Sequence, residues 1–343
     1  MTGQNLVTSR VIEYQADHIS RTYAYPSGGG FSILRAIWLG ILLCINVLLT
    51  KHNAIYVVCS RSSFGFLRDV LPLGMSLFGR RVIVHVHGSD FPELFRRRVL
   101  GRLALFLYRK CEIIIPSTHL MPRLAEFHFA AIKVCENFSS LPFEFQPIDS
   151  KLSLSKNNFT VLWNSNQMAS KGLRELVGGL RHLRADGFKI QLVILGNAVG
   201  DSEASKKDIS AFVSSLVSDD WIYVKGSVQQ TEVAGFLEIC DLVALPSTYE
   251  SECQPLSVIQ GMLWGRTILI TPTAALRTTV GTYPAIFAAR NELAIADALR
   301  PYVAGEKLSN DLIQKEVEIA RERFSPIAFD QRMKGIFTFS GAK

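Results

Sequence analysis

The chain has 343 residues, 48% hydrophobic and 20% charged, with 24 glycines and 13 prolines. That composition excludes an intrinsically disordered chain, a collagen-like fibre and a low-complexity polymer, and at roughly 150 residues per domain it suggests about two domains. The formal net charge is +7, and residues 1–150 hold most of it: 16 Lys/Arg against 10 Asp/Glu, a local excess of +6.

A basic excess in one half fits an anionic partner, either a membrane surface or a nucleic acid; helix faces solvated by arginine are the plainer alternative. The cations cluster at Arg80, Arg81, Arg96, Arg97, Arg98, Arg102, Arg109 and Lys110. No stripe of basic residues interleaved with aromatics accompanies them, so nucleic acid is not the expected partner. The six cysteines, at 44, 59, 111, 135, 240 and 253, form no CxxC pair, which suits buried thiols in a reducing compartment. No basic start followed by an apolar run opens the chain, so a cytoplasmic location is expected.

Taken in order, the pattern predicts a helix over 5–14, an extended stretch over 19–25 and a helix over 31–49. Extended and helical segments then alternate: 54–59, 64–78, 82–87, 93–108 and 112–116, with a short helix from about His119. The stretch 31–50 is the most apolar. Its uninterrupted core, 36–49, is about 14 residues against the roughly 20 a membrane span needs, and it predicts a helix that is buried or rests on a membrane. Strands apolar on both faces, each followed by a helix, mean a parallel sheet covered on both sides.

Periodicity stops over 137–158, which reads as a linker rich in proline, serine and asparagine. Strand and helix then alternate again. Strands are predicted at 159–163, 190–195, 221–224, 242–245 and 267–270, and Leu173, Leu176, Val177, Leu180 and Leu183 fall on one helix face. Two doubly wound units in tandem place ligands at the carboxyl ends of strands. The Gly28-Gly29-Gly30 run lacks dinucleotide-binding spacing.

The richest segment is LVALPSTYESECQPLSVIQGMLWG, from Leu242 to Gly265. A strand ends at Pro246, a loop carries Glu250 and Glu252, and a helix is predicted to begin with Pro255 at its first position, leaving the N–H groups of Leu256, Ser257 and Val258 free for an anion. This segment resembles the signature of family 4 retaining glycosyltransferases with the GT-B fold, in which two glutamates separated by seven residues hold the donor. Glu252 stands at the first position and Gln260 at the second. TVLWNSNQMASKGLRELVGGLRHL is similar to the opening of that family's donor domain: Lys171-Gly172 matches the lysine beside the donor diphosphate, while the arginine position falls in Asn164-Ser165-Asn166. Gly196 in VILGNAVGD and Gly226 in YVKGSV match weaker features lining the nucleotide pocket. VIVHVHGSDF resembles the His-Gly of the acceptor domain, and Thr2-Gly3-Gln4-Asn5 resembles a glycine loop near the donor phosphates, without the strand that normally precedes it.

The resemblance implies an α/β protein of the GT-B type, two doubly wound Rossmann-like domains facing a cleft. An acceptor-side domain over 1–148, a donor domain over 149–325 and a C-terminal helix over 326–343 returning to the first domain are expected. It implies His87, Glu252 and Lys171 as catalytic residues, and Gly3, Asn166, Gly196, Gly226, Leu256, Ser257 and Gln260 as substrate-binding. Implied partners are a UDP- or GDP-linked sugar, a lipid-linked saccharide acceptor of bacterial surface polysaccharide or lipopolysaccharide synthesis, and the anionic inner face of the cell membrane, with no cofactor and no metal. Two rivals stay open at this point. His85, His87 and Asp90 suit a metal, although a full site needs further ligands. Gln260 and the missing arginine suit a weakened GT-B module that only recruits a partner or membrane.

Overall fold

A computed structural model describes residues 3–14, 21–24, 32–50, 54–60, 63–139 and 154–338. It divides into two compact units, Met1–Asn137 with Phe329–Lys343, and Phe138–Ala328.

The first unit runs α1 (Gly3–Tyr14), α2 (Ser32–Leu49), β1 (Ala54–Val58), α3 (Ser63–Gly74), β2 (Arg81–His85), α4 (Arg98–Tyr108), β3 (Glu112–Ile115), α5 (Met121–Ala125) and β4 (Ala131–Val134). Its strands pair in parallel in the order β1-β2-β3-β4. Val82, Ile83, Val84, Ile113, Ile114 and Ile115 are all buried, as strands covered on both faces require. Four-residue β4 carries too short an apolar run to stand out in the sequence. The helix predicted over 93–108 is broken: a 3₁₀ turn covers Phe91–Leu94, Arg97 is extended, and α4 begins at Arg98. The reason is packing, since a Cβ at Gly101 would lie 2.4 Å from the Phe95 carbonyl oxygen, so the turn folds back onto the helix.

The apolar helix α2 is half buried. Ala36, Gly40 and Val47 face inward, Gly40 lies against Leu71, and the Cys44 thiol donates to the Leu71 carbonyl at 3.6 Å. Leu34, Trp38, Ile41, Ile45 and Leu48 face outward. No helix among the described residues is long and apolar enough to cross a membrane. Of the extended stretch predicted over 19–25, residues 21–24 lack regular structure and the rest lies outside the described residues, as do Gly28-Gly29-Gly30 and most of the predicted linker.

The second unit runs β5 (Phe159–Asn164), α6 (Leu173–Ala185), β6 (Ile190–Leu195), α7 (Lys206–Ser215), β7 (Ile222–Gly226), α8 (Gln230–Ile239), β8 (Leu242–Leu245), α9 (Leu256–Leu263), β9 (Thr267–Ile270), α10 (Ala274–Val280), β10 (Ile286–Phe287), α11 (Glu292–Val303) and α12 (Asn310–Phe324). Leu173, Leu176, Val177, Leu180 and Leu183 of α6 are all buried, as their spacing predicts. The six strands are parallel in the order β10-β9-β8-β5-β6-β7. Chain order thus grows outward from β5 in one direction and from β8 in the other, which makes the β5/β8 boundary a topological switch point, where loops diverge and leave a crevice at the strands' carboxyl ends.

A last helix, α13 (Pro326–Thr338), buries Phe329, Met333 and Ile336. Within the first unit its Asp330 receives two hydrogen bonds from Arg10, and Arg81 donates to the carbonyls of Ile336 and Phe337 near its end.

Candidate active site

The switch point gathers the charged residues that the sequence singles out. Lys171 lies in the loop after β5 and Glu252 in the loop after β8, and their side chains meet at 3.1 Å, with only 13% and 12% of their surfaces exposed. Lys171 Nζ also donates to Ser165 Oγ at 3.0 Å and lies 5.8 Å from the Tyr249 ring centre. Glu252 receives a longer contact from Ser247 Oγ at 3.4 Å. A largely buried ion pair at the mouth of two crevice loops can exchange one partner for a ligand.

Loop geometry holds Lys171 there. Ser170 donates from its backbone N–H and its hydroxyl to Asp201 Oδ2, at 2.8 and 2.6 Å. Burial pushes the Asp201 carboxyl up, but these bonds and those from the Ala204 and Glu203 N–H groups outweigh it and hold it below the usual carboxylate range. Gly172 then turns the chain at φ +84°, and a Cβ there would sit 2.4 Å from the Pro246 carbonyl oxygen. Only glycine lets the two crevice loops approach so closely.

Helix α9 opens beside this pair. Pro255 precedes its first turn as the N-cap, at φ −72° and ψ 127°, one position earlier than predicted. Proline there has no side-chain oxygen to cap the helix, so the first-turn N–H groups around Leu256 and Ser257 remain available, as helix-end groups that bind anions do.

Gln260, one turn on, is 2% exposed. Asn164 Nδ2 donates to its Oε1 at 2.7 Å, and its Nε2 donates to Gln230 Oε1 at 3.3 Å. Three neutral amides therefore stand in series where the resembled family places a carboxylate. Asn166, in the Asn164-Ser165-Asn166 stretch where the arginine position falls, is exposed. Gly196 follows β6 and Gly226 ends β7, with φ of +93° and +70°, and the Gly196 N–H donates to the Gly226 carbonyl at 2.7 Å.

Two candidates belong to the first unit. Gly3 opens α1. His87 follows β2, and its ring stacks on that of His85 at 4.3 Å. His85 is fully buried, with Tyr56 Oη 2.6 Å from its Nδ1; burial and then the neighbouring His87 hold it well below the usual imidazole range. No group of three metal-ligating side chains occurs among the described residues.

Residues 158–304 match the family model described as "Glycosyl transferases group 1". That stretch is similar to a group 1 glycosyltransferase domain. The matched stretch spans the whole crevice just described, from β5 through α9. Comparison with solved structures gives the GT-B fold: a sucrose-phosphate synthase from Thermosynechococcus elongatus has a TM-score of 0.71 at 15% identity, over 93% of this chain and 82% of that one. HepE from Anabaena in complex with UDP has a TM-score of 0.72 at 15% identity, over 98% and 96%. A glycosyltransferase from Rickettsia africae reaches 0.67 at 15% identity, over 97% and 88%. Comparison with curated proteins gives no match.

Sequence reasoning did not single out Ser247, Asp201 or Gln230. Ser247 follows β8 and Asp201 lies in the loop between β6 and α7, and these loops carry no spacing signal of their own. Gln230 is 30 positions from Gln260 and meets it only through the tertiary fold.

Proposed function

We propose that this glycosyltransferase domain moves a hexose-type sugar from a UDP- or GDP-linked donor to a hydroxyl acceptor with retention. The acceptor is a lipid-linked saccharide of bacterial surface polysaccharide or lipopolysaccharide synthesis, met at the anionic inner face of the cell membrane. The observation that carries the reading is the Lys171–Glu252 pair across the switch point, beside the uncapped start of α9. HepE has also been solved with UDP-glucose, which supports a nucleotide-sugar donor by likeness.

In the reaction the bond from the sugar's anomeric carbon to the diphosphate oxygen breaks and a bond to the acceptor oxygen forms on the same face. The acceptor proton leaves with the diphosphate. Negative charge grows on the leaving group, and fixed donors aimed at it stabilise the transition state more than the ground state. Lys171, the first-turn N–H groups of Leu256 and Ser257, and the Gly3 backbone take that role. Glu252 and His87 orient the sugar. His85, neutral and stacked on His87, fixes the plane of that ring. Gly196 and Gly226 line the base side, Asn166 borders the diphosphate without a charge, and Gln260 offers an amide to the ribose. No cofactor or metal takes part.

A panel of nucleotide sugars in a thermal-shift assay tests the donor, because a true donor stabilises the fold by mass action. Turnover on a polyprenyl-diphosphate saccharide, with the product's anomeric configuration read by NMR, tests the rest. Stabilisation by nucleotide sugars without turnover on any acceptor would favour the weakened binding module instead.

A further inference from the structure

The first unit presents a surface with no role in sugar transfer. Helix α3 packs against both α2 and α4. On α2 the outward residues Leu34, Trp38, Ile41, Ile45 and Leu48 recur at helical spacing as a continuous apolar stripe, with Trp38 60% exposed. On α3 Leu67 is exposed, and on α4 so are Val99, Leu103 and Phe106. An exposed apolar patch of this extent on a folded domain marks an interaction site.

Charge indicates what covers it. Residues 32–68 and 94–111 contain no Asp or Glu. The outer face of α4 interleaves its apolar side chains with exposed Arg98 and Arg102, and exposed Arg109 and Lys110 follow its last turn. No carboxylate pairs with any of these four among the described residues, whereas Arg96 is already held by Glu93 and Glu126. Arg102, Arg109 and Lys110 converge with Leu105 and Phe106 on a shallow depression of about 350 Å³, and Arg109 is anchored there by donating to the Phe127 carbonyl. Apolar side chains flanked by unpaired cations, with no acid between them, match a bilayer surface, where acyl chains lie beneath anionic headgroups.

We infer that the outer face of α2, α3 and α4 is a membrane-docking surface. Trp38, Ile41 and Ile45 enter the acyl region, and Arg98, Arg102 and Lys110 hold lipid phosphates. The helix lies on the bilayer and does not cross it, because its inner face, at Gly40 and Cys44, is committed to Leu71 of α3. This deepens the membrane part of the proposed function by naming its surface.

Trp38 is a built-in reporter, since Trp163 and Trp221 are buried and Trp264 is half-buried. The full chain is mixed with vesicles of phosphatidylcholine and phosphatidylglycerol, and with phosphatidylcholine alone. It should sediment with the anionic vesicles, and tryptophan emission should shift to the blue. Trp38→Phe should abolish the shift and leave most of the sedimentation. Arg98→Gln with Arg102→Gln should weaken binding about 30-fold, from roughly fivefold per cation near the surface. Ile41→Ser with Ile45→Ser should weaken it at least tenfold. All these side chains are exposed, so melting temperatures should not fall.

Absence of binding to anionic vesicles, or binding that neither double substitution weakens, would overturn the inference. So would a lipid-free dimer that Ile41→Ser with Ile45→Ser dissociates, because a second copy would then cover the face. Stabilisation by UDP-sugars is measured on the same variants and should be unchanged. If vesicles bind and no nucleotide sugar stabilises the protein, the transfer reading fails and the docking surface stands.

Discussion

Replacing Lys171 with methionine separates what the ion pair does for stability from what the ammonium does for chemistry. At 3.1 Å and an effective dielectric constant near 20, the pair's Coulomb energy is about 5 kcal/mol. Most of that is returned by desolvating both groups, so the intact pair contributes little net stability. Removing one partner is different. Glu252 would keep its burial and its contact with Ser247 Oγ at 3.4 Å, and removing the cation from a buried ion pair costs about 3–5 kcal/mol. Lys171→Met should therefore lower the melting temperature, while Lys171→Met with Glu252→Leu, which removes both charges, should recover most of it. Turnover should behave otherwise. If the ammonium neutralises the leaving diphosphate, both variants should lose about 10²–10³ in kcat, or about 2.7–4 kcal/mol, as measured with radiolabelled nucleotide sugar. A single variant with the parent's rate, or a double variant whose rate returns with its stability, would refute the role given to Lys171.

Gln260→Glu should fold normally, because Asn164 still donates to it and Gln230 can rotate its amide to do the same; nucleotide affinity by calorimetry should rise, and a loss of folding would mean that the amide series is not as described. Gly172→Ala combines φ +84° with a Cβ 2.4 Å from the Pro246 oxygen, so denaturant unfolding should report a loss of about 2 kcal/mol or more together with a fall in kcat. His85 is held well below the usual imidazole range, and His119 is lowered to about 4, by burial first and Arg123 second. The unfolded chain binds protons at these sites near pH 6.5 while the folded one does not, so stability is full above that pH and is lost as pH falls towards 4. Melting curves should show a shallower loss over this window in His119→Asn than in the parent.

The strands of the second unit were legible because short runs rich in isoleucine, valine and leucine fill both faces of β6, β8 and β9, and β5 adds Val161, Leu162 and Trp163 to the same pattern. Lys171 and Glu252 were reachable through local motifs, each complete within a few residues. Their pairing was not legible, because 81 positions separate them and only the strand order brings their loops together. Asn164, Gln230 and Gln260 make the same point: the substitution at 260 was visible, but not the two amides that orient it. The 93–108 segment misled because Leu94, Phe95 and Val99 keep helical spacing through a break that exists to fit Gly101. For α2, hydropathy gave an apolar helix but not its two-sidedness, which depends on α3 taking one face and leaving the other.

Helix α13 has a consequence for how the protein is made. The second unit is one uninterrupted segment, Phe138–Ala328, whereas the first closes only when Phe329 and the residues after it reach Arg10 and Arg81. During synthesis the second unit can complete its core while the first unit still waits for its last helix. In that interval Arg81 has no carbonyls to hold, and the Tyr56 ring lacks the Phe337 ring that later packs on it. The apolar helix α2 is already outside the ribosome by then, so the half-built first unit is the species most exposed to premature association with lipid or with chaperones.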